Sequence, residues 1–244
     1  MSRLRLDEAL VARGAYQSRA RARDGILRGV VFVNGAPAKK PAQMVSAEDQ
    51  LTIADEAQAY VSRAALKLIA GLDHFGFDVK GAEALDVGAS TGGFSQVLLE
   101  RGAARVTALD VGHDQLADII RKDDRVHVLE NFNARNLTLA DLPAAPNLIV
   151  CDVSFISLKL ALAPALSLAA EKAIALVLVK PQFEAGRDAL AKGGIVKDEA
   201  VHQAVCEDIA TFFVSAGWNV LGIAPSPVLG GDGNKEFLLG AVRV

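Results

Sequence analysis

The chain has 244 residues, which is enough for one medium-sized domain with a smaller one attached. Apolar residues make up 51% and charged residues 23%, which excludes a globally disordered chain, and no apolar run approaches the roughly 18 residues that a membrane-spanning helix needs. The net charge of −3 hides an asymmetry: residues 1–40 hold nine basic and three acidic residues, a net +6, so the rest of the chain carries −9.

The beginning of the chain and its cysteines predict a cytoplasmic protein. "MSRLRLDEAL" lacks the apolar core of a signal peptide. Cys151 and Cys206 lie far apart in apolar contexts, which is typical neither of a disulfide framework nor of a zinc site. The four histidines show no ligand spacing. We therefore expect no metal and no membrane partner, and by default a monomer.

The basic N-terminal part is predicted to form two short helices followed by a small sheet. Ser2 is a candidate cap for the first helix and Gly14 its stop, while Ser18 can cap the second. "VVFVNGAPAKK" then predicts a strand and an Asn34-Gly35 turn, and "DQLTIA" a further strand.

Guanidinium and ammonium groups at this density suit contacts with phosphates. The alternative is an ordinary solvated basic face. The near absence of aromatic residues among them argues against stacking on single-stranded bases and favours a folded RNA bound by its backbone. The candidate RNA-binding residues are Arg3, Arg5, Arg19, Arg21, Arg23, Arg28, Lys39 and Lys40.

"RLDEALVARGAYQSRARARDGILRGVVFVNG" resembles the small RNA-binding domain named after ribosomal protein S-four. The leading Arg-Leu-Asp, the Ser-Arg at the second helix and the closing Val-Asn-Gly carry this resemblance. We predict an RNA-binding domain over residues 1–58, a linker over 59–63 and a second domain over 64–244.

The second domain alternates strand and helix patterns. Fully apolar strands separated by helices indicate a mostly parallel sheet covered on both faces, and the last two strands, with no long helix between them, are expected to pair antiparallel. The predicted helices include "DQLADIIRKD", residues 114–123. The seven strand-like runs are "EALDVG", "RVTALDVG", "RVHVLEN", "NLIVCDVSF", "AIALVLVKP", "NVLGIAPSP" and "EFLLGAVRV".

A glycine-rich loop, "LDVGASTGGFSQ", follows the first of these strands. Its glycines permit a tight turn and close approach of a ligand, but their spacing differs from the dinucleotide pattern G-x-G-x-x-G. With Asp86 in the strand end and Asp110 at the end of the next strand, the loop resembles the S-adenosylmethionine site of Rossmann-like class I methyltransferases. A capped strand-to-helix turn is the alternative, and Asn131 can equally be a plain turn residue. The resemblance implies as cofactor-binding residues Asp86, Gly88, Ser90, Thr91, Gly92, Gly93, Phe94, Asp110, Asn131 and Asp152.

Lys180 ends an apolar run, residues 173–179, where a lysine can simply reach into water. Its predicted neighbours change that interpretation. Asp152 ends the preceding strand, Glu236 begins the last strand, and Lys67 lies on the helix that opens the domain. These four residue types match the Lys-Asp-Lys-Glu tetrad of FtsJ-like RNA 2′-O-methyltransferases.

With the N-terminal domain, the whole chain resembles the TlyA family, and "DVGASTGGF", "CDVSFISL", "VKPQFEAGR" and "GNKEFLLG" all fit. Members of this family were first described as hemolysins and are understood as ribosomal RNA cytidine-2′-O-methyltransferases. The resemblance implies S-adenosylmethionine as cofactor, 16S or 23S ribosomal RNA in the ribosomal subunits as substrate, and Lys67, Asp152, Lys180 and Glu236 as catalytic residues.

Several alternatives stay open. Lys180 could act as a neutral base or as a charged group that stabilises the oxyanion. Residues 186–199 form either a mobile lid or an ordinary surface loop. A membrane-active hemolysin and a non-catalytic RNA-binding assembly factor are competing functions. A base methyltransferase is less favoured, because "DVSF" stands where such enzymes usually carry an Asn/Asp-Pro-Pro-aromatic motif.

Overall fold

The computed structural model describes residues 3–191, 193–230 and 233–244. The chain forms two compact units, of which one ends at Ala59 and the other begins at Tyr60. In the described part of the chain, no helix is long and apolar enough to cross a membrane.

The first unit contains two helices and five short strands among its described residues. Its elements are β1 (Leu4–Arg5), α1 (Leu6–Ala12), α2 (Arg19–Leu27), β2 (Val31–Val33), β3 (Ala36–Pro37), β4 (Met44–Val45), β5 (Leu51–Ile53) and a 3-10 turn (Glu56–Ala59). β2 pairs antiparallel with both β3 and β5, and β1 pairs antiparallel with β4. The Ser18 side chain caps α2 as predicted, and Asn34 and Gly35 form the turn between β2 and β3 with positive φ angles of 51° and 81°.

The first helix begins later than the sequence predicts. Ser2, the predicted cap, lies outside the described residues, and Arg5 is the N-cap residue of α1. Leu4 and Arg5 pair with Val45 and Met44, so the backbone before α1 is extended and cannot join the helix. The Arg5 side chain makes no cap hydrogen bond.

The second unit is built on one seven-stranded sheet. Its strands are β6 (Glu83–Val87), β7 (Arg105–Leu109), β8 (Val126–Leu129), β9 (Leu148–Cys151), β10 (Ala173–Val179), β11 (Asn219–Pro225) and β12 (Phe237–Arg243). They lie side by side in the order β11-β12-β10-β9-β6-β7-β8. The five strands β10, β9, β6, β7 and β8 are parallel to one another, and β12 runs antiparallel to both β10 and β11. All seven predicted strands and the antiparallel last pair are confirmed.

Helices cover both faces of this sheet. They are α3 (Ala65–Phe75), α4 (Gly93–Glu100), α5 (Asp118–Arg121), α6 (Leu158–Leu168), α7 (Pro181–Glu184) and α8 (Glu199–Ser215), with 3-10 turns at Ala134–Asn136, Leu139–Asp141 and Arg187–Ala189.

Alternate residues of the central strands enter two separate apolar layers. Leu148 and Val150 of β9 pack in the layer that contains α3 and α4. Ile149 and Cys151 of the same strand pack in the layer that contains α6 and α8. Because successive side chains of a strand point to opposite faces, a strand covered on both sides must be apolar throughout. The unbroken apolar runs in the sequence therefore have a direct structural cause.

The helix predicted over residues 114–123 is wrong in extent, since α5 covers only Asp118–Arg121. Asp114 has a left-handed backbone, with φ of 52°. The backbone N–H groups of Gln115 and Leu116 donate to the carboxylate of Glu130 rather than to a helical turn. A contact with a residue 14 positions away thus replaces the first turn of the expected helix.

Candidate active site

The loop between β6 and α4 passes very close to the end of β9. Gly88 has φ of 86°, and a Cβ atom at this position would lie 2.6 Å from the backbone oxygen of Asp152. Gly92, with φ of 92°, is the N-cap residue of α4, and a Cβ atom there would lie 2.8 Å from Leu116. Any other residue at Gly88 would force two backbone segments apart, and at Gly92 it would adopt a strained positive φ against the Leu116 side chain, so these two glycines set the shape of the site.

A cavity of about 580 Å³ opens beside this loop. Its walls are mostly apolar, with a few polar groups, which is the usual character of a small-molecule site. The lining residues are Val87, Gly88, Ser90, Leu109, Asp110, Val111, Gln115, Phe132, Asn133, Ala134, Asp152, Val153, Ser154, Phe155, Ile156 and Ala161.

Asp110 presents a fixed carboxylate to this larger cavity. Its Oδ2 accepts a hydrogen bond from the Ser90 N–H and its Oδ1 from the Gly112 N–H, each at 2.7 Å. A carboxylate oxygen has two lone-pair sites, so both oxygens can accept a further hydrogen bond from a ligand hydroxyl.

A second cavity, of about 200 Å³, adjoins the first and shares Gly88, Ser90, Asp152 and Ser154 with it. The N-terminus of α4 forms part of its wall, and the N–H groups of a helix N-terminus favour negatively charged ligand groups. The lining residues are Ser62, Ala64, Gly88, Ala89, Ser90, Thr91, Gly93, Phe94, Asp152, Ser154 and Lys180.

Lys180 and Asp152 form an ion pair on the wall of the smaller cavity. Lys180 Nζ lies 2.5 Å from Asp152 Oδ1, yet that oxygen has no directed hydrogen bond, so the contact is a charge contact. Lys180 Nζ instead donates to Ser154 Oγ at 2.9 Å. The ring of Phe183 lies 6.0 Å from Nζ. Lys180 is only 8% exposed, so it is not a strand-end lysine that simply reaches into water.

Lys67 and Glu236 form a second ion pair at the same edge of the sheet. Lys67 Nζ donates to Glu236 Oε2 at 2.6 Å, and the two residues are 6% and 4% exposed. The register of β10 and β12 places the two ion pairs at the same end of these strands. Val179 of β10 lies opposite Phe237 of β12, so Lys180, which follows Val179, and Glu236, which precedes Phe237, are at the same end of this strand pair. The four tetrad residues therefore come together as two pairs of opposite charge.

Asp86 and Asn131 line neither cavity. Asp86 is fully buried, with Oδ2 accepting from the Ser95 hydroxyl at 2.7 Å and Oδ1 without a partner in the described residues. Burial raises the pKa of the Asp86 carboxyl to about 7. Asn131 is exposed, has φ of 55°, and donates its backbone N–H to Gly112. The next residues, Phe132 and Asn133, face the larger cavity instead.

Phe155 is a site residue that sequence reasoning missed. It is 90% exposed and has an unusual left-handed backbone, with φ of 63°. Its ring centroid lies 5.0 Å from that of Phe183. Strained backbone and exposed aromatic rings are common at functional sites. The available signal was the Phe in "CDVSFISL", directly after a strand end.

The basic residues of the first unit differ in how far their charges are already compensated. Arg5 and Arg19 contact Asp7, whose pKa the Arg5 hydrogen bond lowers to about 2. Arg28 contacts Asp24 and Asp55. Arg21 donates to Gln17 and to the Ala57 carbonyl. The exposed residues among those predicted to bind RNA are Arg3, Arg19, Arg23, Lys39 and Lys40.

Two families match this chain along its two units. Residues 60–243 match the family described as FtsJ-like methyltransferase, and residues 4–51 match the S4 domain. A Mycobacterium tuberculosis protein named 16S/23S rRNA (cytidine-2′-O)-methyltransferase TlyA is 44% identical over 97% of this chain and 89% of its own length.

Other relatives carry a different name. Hemolysin A of Brachyspira hyodysenteriae is 38% identical over 96% of this chain and 98% of its own length. A solved structure from Streptococcus thermophilus, also with a hemolysin name, is 38% identical, with a TM-score of 0.79 over 100% of this chain and 90% of that one.

Proposed function

This chain belongs to the FtsJ-like methyltransferase family, and we propose on that premise that it transfers a methyl group from S-adenosylmethionine to a ribose 2′-hydroxyl of ribosomal RNA. The observation that carries the proposal is the Lys180–Asp152 contact of 2.5 Å on the wall of the smaller cavity. The relative named as a ribosomal RNA cytidine-2′-O-methyltransferase supports cytidine as the target nucleoside.

The two cavities fit this cofactor. The apolar walls of the larger cavity suit the adenine base, and the fixed carboxylate of Asp110 suits the two ribose hydroxyls. The N-terminus of α4, in the wall of the smaller cavity, suits the carboxylate of the methionine part. Gly88 is required because the glycine-rich loop passes very close to the backbone of Asp152 between the two cavities.

S-adenosylmethionine supplies a methyl group on a positively charged sulfur, which is already activated for transfer. The protein therefore has to align the attacking oxygen and take up one proton. Phe155 and Phe183, beside the catalytic pair, offer aromatic surface for the target nucleoside.

The Lys180–Asp152 pair can take up that proton. Once Lys180 has released one proton to solvent, its uncharged amine stays beside the Asp152 carboxylate, 2.5 Å away. This amine would then accept the proton of the ribose 2′-hydroxyl as that oxygen takes up the methyl group, which bound S-adenosylmethionine would supply while its sulfur kept the electron pair of the carbon–sulfur bond. The pair finally releases the added proton to solvent.

Lys67 and Glu236 act as positioning residues in this scheme. Their charges neutralise each other at 2.6 Å, so the second pair adds no net charge beside the reacting oxygen. The exposed basic residues of the first unit, such as Arg23 and Lys39, hold the RNA by its phosphates.

The test is transfer of a labelled methyl group from S-adenosylmethionine to ribosomal subunits from a strain that lacks the gene. Label is counted separately on 30S and 50S particles and mapped within the RNA. We expect label on a cytidine 2′-oxygen of at least one particle. Lys180→Ala, shown to be folded by circular dichroism, should lose at least about 100-fold in rate.

A folded protein that binds S-adenosylmethionine but labels neither particle would contradict the proposal. Free and precursor RNA would then be tried as substrates. If these also stay unlabelled, leakage from lipid vesicles would test the activity in the name of Hemolysin A. Transfer by Lys180→Ala at the wild-type rate would contradict the assignment of the catalytic pair alone.

A further inference from the structure

Ser154 lies on the turn between β9 and α6, where the Lys180–Asp152 pair meets both cavities. Its Oγ accepts a hydrogen bond from Lys180 Nζ at 2.9 Å, and Ser154 is a lining residue of both the larger and the smaller cavity. We infer that Ser154 is a positioning residue of the methyl-transfer reaction, which fixes the direction of the Lys180 amino group. This inference rests on the proposed function.

The direction of the Lys180 amino group depends on its hydrogen-bond partners. An ammonium group has three N–H donors and rotates freely about its last carbon–nitrogen bond unless a directed partner stops it. The contact with Asp152 is short but carries no directed hydrogen bond. In the part of the chain that the structure describes, the Ser154 hydroxyl is the one directed hydrogen-bond partner of Lys180 Nζ.

One N–H of Nζ points to Ser154, and the amino group lies against Asp152. With these two contacts in place, the third bonding direction on Nζ is fixed as well. That direction is the one through which Lys180 reaches the ribose hydroxyl. A loss of the Ser154 hydroxyl leaves the charge of Lys180 in place but lets the amino group rotate. The productive orientation is then one of several, which slows the chemical step without weakening binding of either substrate.

The turns that carry Ser154 and Lys180 are held together without the Ser154 hydroxyl. Glu184 Oε2 accepts from the Ser157 hydroxyl at 2.6 Å, and Glu184 Oε1 accepts from the Leu158 N–H at 2.7 Å. Ser154 itself is exposed and supports no core packing. Removing its hydroxyl should therefore act on Lys180 and leave the fold unchanged.

The test compares Ser154→Ala and Ser154→Thr with the wild type, and with Ser215→Ala as a control at an exposed serine on α8. Steady-state methyl transfer to the labelled ribosomal particle gives kcat and the two KM values, and thermal unfolding gives stability. We expect Ser154→Ala to lower kcat about tenfold, which corresponds to about 1.4 kcal/mol. Both KM values should stay within about twofold of the wild type.

Ser154→Thr keeps an oxygen in the same place and should restore kcat to within about threefold of the wild type. A kcat for Ser154→Ala within about twofold of the wild type would overturn the inference, as would a loss confined to KM. Equal loss in the alanine and threonine variants would overturn it as well. A wild-type protein that labels no RNA would refute the proposed function. If the wild type is active and Ser154→Ala has the same kcat, only the role of Ser154 is refuted.

Discussion

The charge state of Asp86 gives a quantitative prediction about stability. Its carboxyl is fully buried beneath the glycine loop and keeps one oxygen without a hydrogen-bond partner in the described residues. Burial is the main cause that raises the pKa of Asp86 to about 7, and the negative charge of Asp152 adds to it. The folded protein therefore keeps this proton at pH values where the unfolded chain has already lost it.

The sign follows from proton linkage. Because the pKa of Asp86 is higher in the folded state, the stabilisation is complete below about pH 4 and is lost as the pH rises through about 7. A carboxyl whose pKa moves from 3.8 to about 7 costs about 4 kcal/mol of unfolding free energy between pH 4 and pH 8. Asp86→Asn keeps the shape and cannot ionise, so this loss should disappear.

The measurement is urea unfolding of the ligand-free protein at several pH values from 4.5 to 8, for the wild type and Asp86→Asn. The difference in unfolding free energy should grow in favour of the variant by about 3 kcal/mol between about pH 4.5 and pH 8. Asp118→Asn is the matched control, because this exposed carboxylate is paired with Lys122 at the surface. A difference between wild type and Asp86→Asn that does not change with pH would refute the reasoning, since it would mean that folding does not shift the ionisation of Asp86.

Three further predictions concern the second ion pair, the aromatic surface and the basic residues. Lys67→Met leaves the buried carboxylate of Glu236 without its partner and should cost about 3–5 kcal/mol of unfolding free energy. In denaturant titrations, the double variant Lys67→Met with Glu236→Leu should recover most of this loss. The double variant should still transfer no methyl group. Phe155→Ala removes an exposed ring, so thermal unfolding should not change, while the KM for ribosomal RNA should rise about tenfold, and an unchanged KM would exclude a contact with the RNA. Arg23→Ala should lower the slope of log affinity against log salt by about one in RNA-binding titrations, and an unchanged slope would mean that this residue touches no phosphate.

The strands of the second unit could be predicted because their sequence pattern has a local cause. Each central strand is covered on both faces, so its apolar run is unbroken and ends where the strand ends. The segment at residues 114–123 has a helical pattern, yet its first turn is displaced by the carboxylate of Glu130. This contact forms because the sheet brings the end of β8 beside the loop. The sequence of the segment itself does not indicate it.

The composition of the site was predictable, but its pairing was not. The sequence places Lys67, Asp152, Lys180 and Glu236 at element ends that the sheet brings to one edge. Which lysine contacts which carboxylate depends on side-chain direction and on register between β10 and β12. Ser154 gave no signal, because a serine after a strand is an ordinary turn residue.

Backbone direction also decides which residues of the loop after β8 line the larger cavity. Asn131 is predicted to contact the cofactor from its position after the strand. Asn131 has a positive φ, and Phe132 and Asn133 are the residues of this loop that line the cavity. Residue type alone cannot reveal such a turn of the chain.

The pairing of the four tetrad charges bears both on the role of these residues and on where the RNA is attracted. A buried ion pair is seldom more stabilising than apolar residues of the same shape, so two such pairs at one sheet edge argue for a chemical role rather than a structural one. Because each pair is neutral, the tetrad itself attracts no polyanion. Residues 41–244 carry a net −9 and disfavour RNA, whereas residues 1–40 carry +6. Long-range attraction to the RNA is therefore expected from residues 1–40, and salt should act on the KM for RNA far more than on kcat.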